Sequence, residues 1–145
     1  MARISGFAVA LATSLATVAP QLPAQAADTV AVYAQEDSIC GHGSVQSAVR
    51  NGFHYQVRHV PHLPDVGIVD LYNARLTRYE PATFNNPIER RYCAATVRLT
   101  DGQDRPVWYL IEYGQGFAGL GDNVEFCVLG FDRWNVYNAE CSVLR

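Results

Sequence analysis

The fold is decided by the stretch YCAATVRLTDGQDRPVWYLIEY, residues 92–113 of the chain. Apolar and polar residues alternate on both sides of the sequence DGQD, and this period of two is typical of half-buried strands. One face of the first strand carries Cys93, Ala95, Val97 and Leu99, and one face of the second carries Val107, Tyr109, Ile111 and Tyr113. The stretch therefore predicts an antiparallel hairpin with one buried face.

Upstream of this hairpin, Ser44 begins a run in which apolar residues recur with the period of a helix. The apolar positions are Val45, Ala48, Val49, Gly52 and Phe53. Ser44 is a favourable N-cap residue, and Asn51-Gly52 is a common stop signal. The sequence predicts one short amphipathic helix of about ten residues.

Three further segments have the composition of strands, at residues 66–79, 123–131 and 136–144, and the last is interpreted as part of a final hairpin. Residues 29–33 are an additional candidate strand. The predicted fold class is α+β, with one short helix packed on a four- or five-stranded antiparallel meander sheet. The order of elements over residues 44–144 resembles the layout of cystatin-like and NTF2-like domains, a resemblance of fold that implies no function.

The N-terminus has the features of a bacterial signal peptide. Arg3 precedes the uncharged run of residues 4–18, and Ala24-Gln25-Ala26 supplies the small residues that signal peptidase accepts. We therefore expect a cleaved signal peptide over residues 1–26, an N-terminal lead-in over 27–43 and a single α+β domain over 44–145. No segment of the expected mature chain has the roughly 20 apolar residues of a membrane span. The predicted location is the periplasm.

The charge of the expected mature chain argues against nucleic acid as a partner. The whole chain has 11 basic and 14 acidic residues, and loss of Arg3 leaves 10 against 14, a net charge of −4. Nucleic-acid phosphates and anionic membrane surfaces both require a basic surface. The charge therefore argues against both classes of partner.

The chain has four cysteines, Cys40, Cys93, Cys127 and Cys141, and an even count in an exported protein predicts disulfides. Three connectivities are possible. We favour Cys127 with Cys141, which are close along the chain, and Cys40 with Cys93. A zinc site is the alternative, but no C-x-x-C pair is present.

Residues 114–119 read GQGFAG and match half of a dinucleotide-binding fingerprint. The sequence that follows, NVEFCV at residues 123–128, has the composition of a strand, whereas a pyrophosphate site requires a helix N-terminus. The glycines therefore indicate a sharply turned loop, and no nucleotide or other cofactor is expected.

The titratable residues do not form a recognisable catalytic or metal-binding pattern. The spacing of the four histidines, His42, His54, His59 and His62, matches neither face of a helix nor one face of a strand. The acidic residues expected within apolar strands are Asp70, Glu112 and Glu125, and whether any two of them meet depends on the order of the strands. No metal and no catalytic residue is predicted.

The remaining signal is a set of aromatic and arginine side chains that cannot all point into one core. The candidate interface residues are Trp108, Trp134, Tyr137, Tyr92, Arg98, Arg133 and Phe117. Tyr, Trp and Arg are enriched in protein interfaces. The sequence thus predicts a non-catalytic periplasmic protein that binds a protein or peptide partner, such as an accessory, inhibitor or envelope-associated factor. The alternative is a small-molecule-binding or hydrolase-type domain with a cavity between helix and sheet, lined by Phe53, Tyr109 and Tyr113.

Overall fold

A computed structural model describes residues 39–145 of the chain. One helix, α1 (Gly43–His59), packs on a four-stranded antiparallel sheet. The strands are β1 (Ile68–Glu80), β2 (Arg90–Leu99), β3 (Asp104–Glu112) and β4 (Asn123–Val128), and they lie in the order β1-β2-β3-β4. The predicted α+β architecture is confirmed. The candidate strand at residues 29–33 lies outside the described residues.

The hairpin of β2 and β3 has the predicted alternation. Cys93 pairs with Tyr109 and Ala95 with Val107 across the two strands, so these side chains point to the same face. This face packs against Val45, Val49, Phe53 and Val57 of α1. We call it the inner face, and the residues buried between it and α1 the inner cluster.

The expected end of the helix at Asn51-Gly52 was wrong. Helix α1 begins at Gly43 and continues to His59. The predicted N-cap at Ser44 was wrong too, since the N-cap residue is His42, which makes no side-chain capping hydrogen bond. Gly52 lies within the helix, where a Cβ atom would overlap the ring of Phe126. The glycine thus permits close packing of α1 on β4.

The expected final hairpin over residues 136–144 was also wrong. This segment consists of turns and a 3-10 helix (Ala139–Leu144), with positive φ angles at Asn135, Asn138, Glu140 and Cys141. Phe131 still belongs to the inner cluster, whereas Cys141 and Leu144 pack on the opposite, outer face. The chain therefore crosses from one face of the sheet to the other, which an extended strand in the same sheet cannot do.

The two favoured disulfides are confirmed, and each one belongs to a different face. Cys40 is bonded to Cys93 within the inner cluster, and Cys127 is bonded to Cys141 on the outer face. Cys40, which the sequence placed in the lead-in, is fully buried in the core. Disulfides persist in oxidising compartments, so the pairings indicate an extracellular or periplasmic environment. Within residues 39–145 no helix combines the length and the apolar character that a bilayer crossing requires.

Candidate interaction site

A groove of about 350 Å³ lies between the second half of α1 and the segment that follows β4. Gly52 and Tyr55 line it from the helix and Phe126 from β4. Trp134 and Val136 line it from residues 132–140, which lead from the inner to the outer face and which we call the crossing segment. Tyr55 and Trp134 are 64% and 63% exposed. The groove is therefore lined by large apolar side chains that remain accessible to solvent.

The shape of the groove follows from two local features. The missing side chain at Gly52 lets the Phe126 ring lie against the helix. On the other side, the carboxylate of Asp132 accepts hydrogen bonds from the backbone N–H groups of Val136 and Tyr137, both at 2.8 Å. This pair of bonds closes a loop over residues 132–137 that has no regular secondary structure. It holds the backbone on both sides of Trp134, whose ring stays exposed.

One polar group in the groove has an unused hydrogen-bonding capacity. The side chain of Gln56 donates from Nε2 to the carbonyl oxygen of Phe131 at 3.0 Å, while its buried Oε1 has no partner. A buried acceptor without a partner is costly, by about 1–3 kcal/mol.

Three of the sequence-predicted interface residues, Arg133, Trp134 and Tyr137, meet in this groove. The sequence analysis missed the partners on the opposite side, Tyr55 and Gln56, because it ended the helix at Gly52. The i, i+3, i+4 spacing of Gly52, Tyr55 and Gln56 was the signal that would have placed them on one side of a longer helix.

Two other predicted residues, Tyr92 and Trp108, lie on the outer face under the C-terminal segment. Tyr92, Leu110, Cys127, Cys141 and Leu144 form a second buried group, which we call the outer cluster, and Trp108 and Tyr137 pack against it. Tyr92 is only 8% exposed. The guanidinium of Arg78 lies 3.6 Å from the centre of the Tyr92 ring, and that of Arg145 lies 4.6 Å from the Trp108 ring. Much of the outer aromatic face is thus covered by the chain itself.

Arg98 is engaged in a surface pair on the same face. Its guanidinium donates to both carboxylate oxygens of Asp104, at 3.0 and 3.2 Å, and lies 5.7 Å from the Tyr72 ring. The hydrogen bond from Arg98 lowers the pKa of Asp104, and a hydrogen bond to Asp104 raises the pKa of Tyr72. Both Arg98 and Asp104 remain exposed, so the pair contributes little to stability.

Two tyrosines, the buried Tyr109 and the half-buried Tyr137, have strongly raised pKa values, one on each face. Burial raises the pKa of Tyr109, whose hydroxyl donates to the carbonyl oxygen of Cys40 at 2.7 Å in the inner cluster. Burial, followed by the nearby carboxylates of Glu125 and Asp132, raises the pKa of Tyr137 to about 12. Both groups therefore act as neutral structural residues at ordinary pH.

The last predicted residue, Phe117, lies in the glycine-rich loop between β3 and β4 and is 95% exposed. This loop contains a single 3-10 turn (Phe117–Gly119) and leads into a strand, so it is not followed by the α-helix that the dinucleotide fingerprint requires. Three of its glycines, Gly114, Gly119 and Gly121, have positive φ angles, as expected for a sharply turned loop.

The other titratable candidates do not converge on a common site. The four histidines are exposed, and within residues 39–145 no three metal-ligating side chains lie together. Glu112 pairs with Arg90 at 2.8 Å, Asp70 with Arg50 at 3.8 Å, and Glu125 lies near Tyr137.

The three residues named for the alternative cavity have other positions. Phe53 and Tyr109 are fully buried in the inner cluster, and Tyr113 packs at its edge. None of them lines the groove.

The chain was compared with models of protein families, with curated proteins and with solved structures, and none of them matches it. The geometry of the described residues is therefore the basis for a functional proposal.

Proposed function

We propose that this chain is an exported, non-catalytic protein that binds a protein or peptide partner through the groove between α1 and the crossing segment. The observation that carries the proposal is the pairing of Tyr55 and Trp134, which are distant in sequence yet share one groove and stay largely exposed. Tyr and Trp supply large contact areas and are enriched among the residues that dominate binding energy.

The groove suits a peptide segment with one apolar side chain. The apolar side chain would contact Tyr55, Phe126 and Trp134. Arg133 is exposed at the same groove and adds a cation for a carboxylate of the partner.

Export to the periplasm is part of the proposal. The signal-peptide features of residues 1–26 support it, and the two disulfides require the oxidising conditions found there. The partner is accordingly a periplasmic or envelope protein.

Capture from a periplasmic extract of the source cells tests the proposal. The mature protein is immobilised, and the bound proteins are quantified for the wild type, Trp134→Ala and Tyr55→Ala. Loss of a central aromatic residue costs about 2 kcal/mol or more, so each variant should retain its partner at least about thirtyfold less strongly. The thermal midpoint should change little, because both side chains are mostly exposed.

The matched control is Val69→Ala on β1, which is exposed to a similar degree, at 62%, but does not line the groove. This variant should bind like the wild type. A partner that both groove variants retain at the wild-type level would contradict the proposal.

A further inference from the structure

A second surface lies at one end of the sheet, where two loops are neighbours. Glu80 pairs with Arg90, Arg90 with Glu112, and Glu112 with Asn123 across the four strands. The β1–β2 loop (residues 81–89) and the β3–β4 loop (residues 113–122) therefore leave the sheet at the same end. A backbone hydrogen bond from Tyr113 N to Glu89 O joins their bases.

These two loops carry the most exposed large apolar side chains in the described part of the chain. Phe84 is fully exposed, and Phe117 and Leu120 are 95% and 80% exposed. We call these three residues the loop tips. A single exposed apolar residue is ordinary, but three nearly bare ones on adjacent loops are typical of an interaction surface.

The glycine-rich loop holds its tips in a defined conformation. The N–H of Gly114 donates to Asp122 at 3.0 Å, and Gly116 N donates to the carbonyl oxygen of Gly121 at 3.0 Å. A Cβ atom at Gly116 would overlap the Leu120 carbonyl, so the loop closes too tightly for any other residue. Phe117 and Leu120 are linked by a 3.1 Å backbone hydrogen bond.

The β1–β2 loop is held in the same way and is tied to the other loop through Glu112. Asn86 accepts a backbone bond from Thr83 at 2.7 Å and a side-chain bond from Arg90 at 2.8 Å. Arg90 also donates to Glu112 at 2.8 Å, and Asn123 donates to the second oxygen of Glu112 at 3.2 Å. Loops that are ordered in advance lose little conformational entropy when they bind.

The charges around the loop tips indicate what kind of surface they contact. The arginines at this end are already paired, Arg90 with Glu112 and Arg91 with Glu89, and Asp122 adds a negative charge. Loops that insert into anionic lipid are normally flanked by unpaired basic residues. A neutral to acidic surround combined with projecting apolar side chains fits a concave apolar surface on a folded protein.

We infer that the loop tips form a second, independent binding surface, which inserts into an apolar cleft of a folded protein partner. Phe84 and Phe117 enter the cleft together, and Glu112 is a positioning residue that keeps the bases of the two loops in register. This surface differs from the proposed groove in all of its residues.

Site-specific crosslinking tests this inference on the full chain exported in its source cells. A photoreactive benzoylphenylalanine replaces Phe84 in one protein and Phe117 in another, with Val69 and Val143 as control positions because both are exposed valines on other elements. Both loop positions should give one and the same crosslinked protein, and the control positions should not. Adding Leu120→Ser should lower the yield from position 117 by about tenfold or more.

Two further arms separate the alternatives. Vesicles of phosphatidylethanolamine and phosphatidylglycerol should not bind the purified protein, and binding that depends on Phe117 would overturn the inference in favour of lipid. Different products from the two loops, a product that is a second copy of this chain, or no product would also overturn it. The Trp134→Ala change should leave the crosslink at position 117 intact, so failure of the groove and failure of this surface give different results.

Discussion

The inner and outer faces of the sheet are covered in different ways. On the inner face lies α1, a regular helix of 17 residues that satisfies its own backbone hydrogen bonds and presents apolar residues periodically. The outer face is covered by the irregular segment after residue 131, where backbone groups bond to nearby turns and to Asp132. The helix thus supplies its own backbone hydrogen bonds and an apolar surface, whereas the irregular segment depends on a few specific links to stay on the sheet.

Those links are the Cys127–Cys141 disulfide and a few aromatic contacts, among them Arg145 over Trp108. The outer cluster contains five buried residues, and the inner cluster is considerably larger. Hydrophobic stabilisation increases with the apolar area that is buried. We call α1 the inner layer and the chain after residue 131 the outer layer. We therefore expect the outer layer to detach from the sheet at a lower free energy than the inner layer.

The largest expected effect is on stability, and it comes from removing the disulfide of either face in a separate variant. One double variant, Cys40→Ala with Cys93→Ala, removes a disulfide between residues that are 53 apart in sequence. The other, Cys127→Ala with Cys141→Ala, removes a disulfide between residues that are 14 apart. The chain-entropy relation gives losses of about 4 and about 3 kcal/mol in the free energy of unfolding. Urea unfolding of the two variants measures these losses.

The nature of the change should differ as well as its size. Without Cys127–Cys141, the C-terminal segment should detach and expose Tyr92 and Leu110 while the sheet persists, so a dye for apolar surfaces should bind below the unfolding transition. The Cys40–Cys93 variant should unfold in one step. An outer-face variant that binds no dye would show that the two layers form a single cooperative unit.

The inner layer could be predicted from the sequence because its residues follow simple periods. The alternation from Cys93 to Leu99 and from Val107 to Ile111 fixes both strands and their buried face. On the outer face, the Cys127–Cys141 link alone was predictable in the same way, because its cysteines are close along the chain, and Cys40 with Cys93 was then the remaining pair. These signals are local, and each needs only its own segment to be interpreted.

The outer layer and the groove could not be predicted, because their causes are not local. A glycine such as Gly52 can either end a helix or make room for a packed side chain, here the Phe126 ring, and the sequence alone does not distinguish the two roles. The crossing segment has positive φ angles at Asn138 and Glu140, and its apolar residues do not recur with the period of a helix or a strand. Trp134 was recognised as an interface residue, but its neighbour Tyr55 comes from a distant element.

A change of pH compares the two faces a second time, with an expected effect of intermediate size. Tyr109 and Tyr137 have folded-state pKa values above the unfolded value of about 10. Their full contribution to the free energy of unfolding is therefore present below pH 10. Above pH 10 the unfolded chain loses these protons first, and the free energy of unfolding should fall by up to about 1.4 kcal/mol per pH unit for the buried Tyr109 and by less for the half-buried Tyr137, whose charge is screened by solvent. The loss should end near pH 12 for Tyr137 and at higher pH for Tyr109.

Urea unfolding between pH 8 and pH 12 of the wild type, Tyr109→Phe and Tyr137→Phe separates the two contributions. Tyr109→Phe should remove the larger part of the alkaline slope and should cost about 1 kcal/mol at neutral pH, because its hydrogen bond to Cys40 is lost. Tyr137 is only half-buried, so Tyr137→Phe should have the smaller effect. Equal slopes in all three proteins would show that neither hydroxyl is protected from ionisation.

The smallest expected effect comes from the chain's last residue. Arg145 covers Trp108 and also bonds to the carboxylate and the carbonyl oxygen of Glu140, so Arg145→Ala removes a cation–π contact worth about 0.5–1 kcal/mol. In a Trp134→Phe background, where Trp108 is the one remaining tryptophan, acrylamide should quench its fluorescence more strongly after this change. Arg105→Ala is the matched control, since Arg105 bonds to Gln103 and has no described contact with Trp108. If quenching is unchanged in Arg145→Ala, the arginine does not shield Trp108, and the outer face is covered by the other residues that pack there, Tyr137, Cys141 and Leu144.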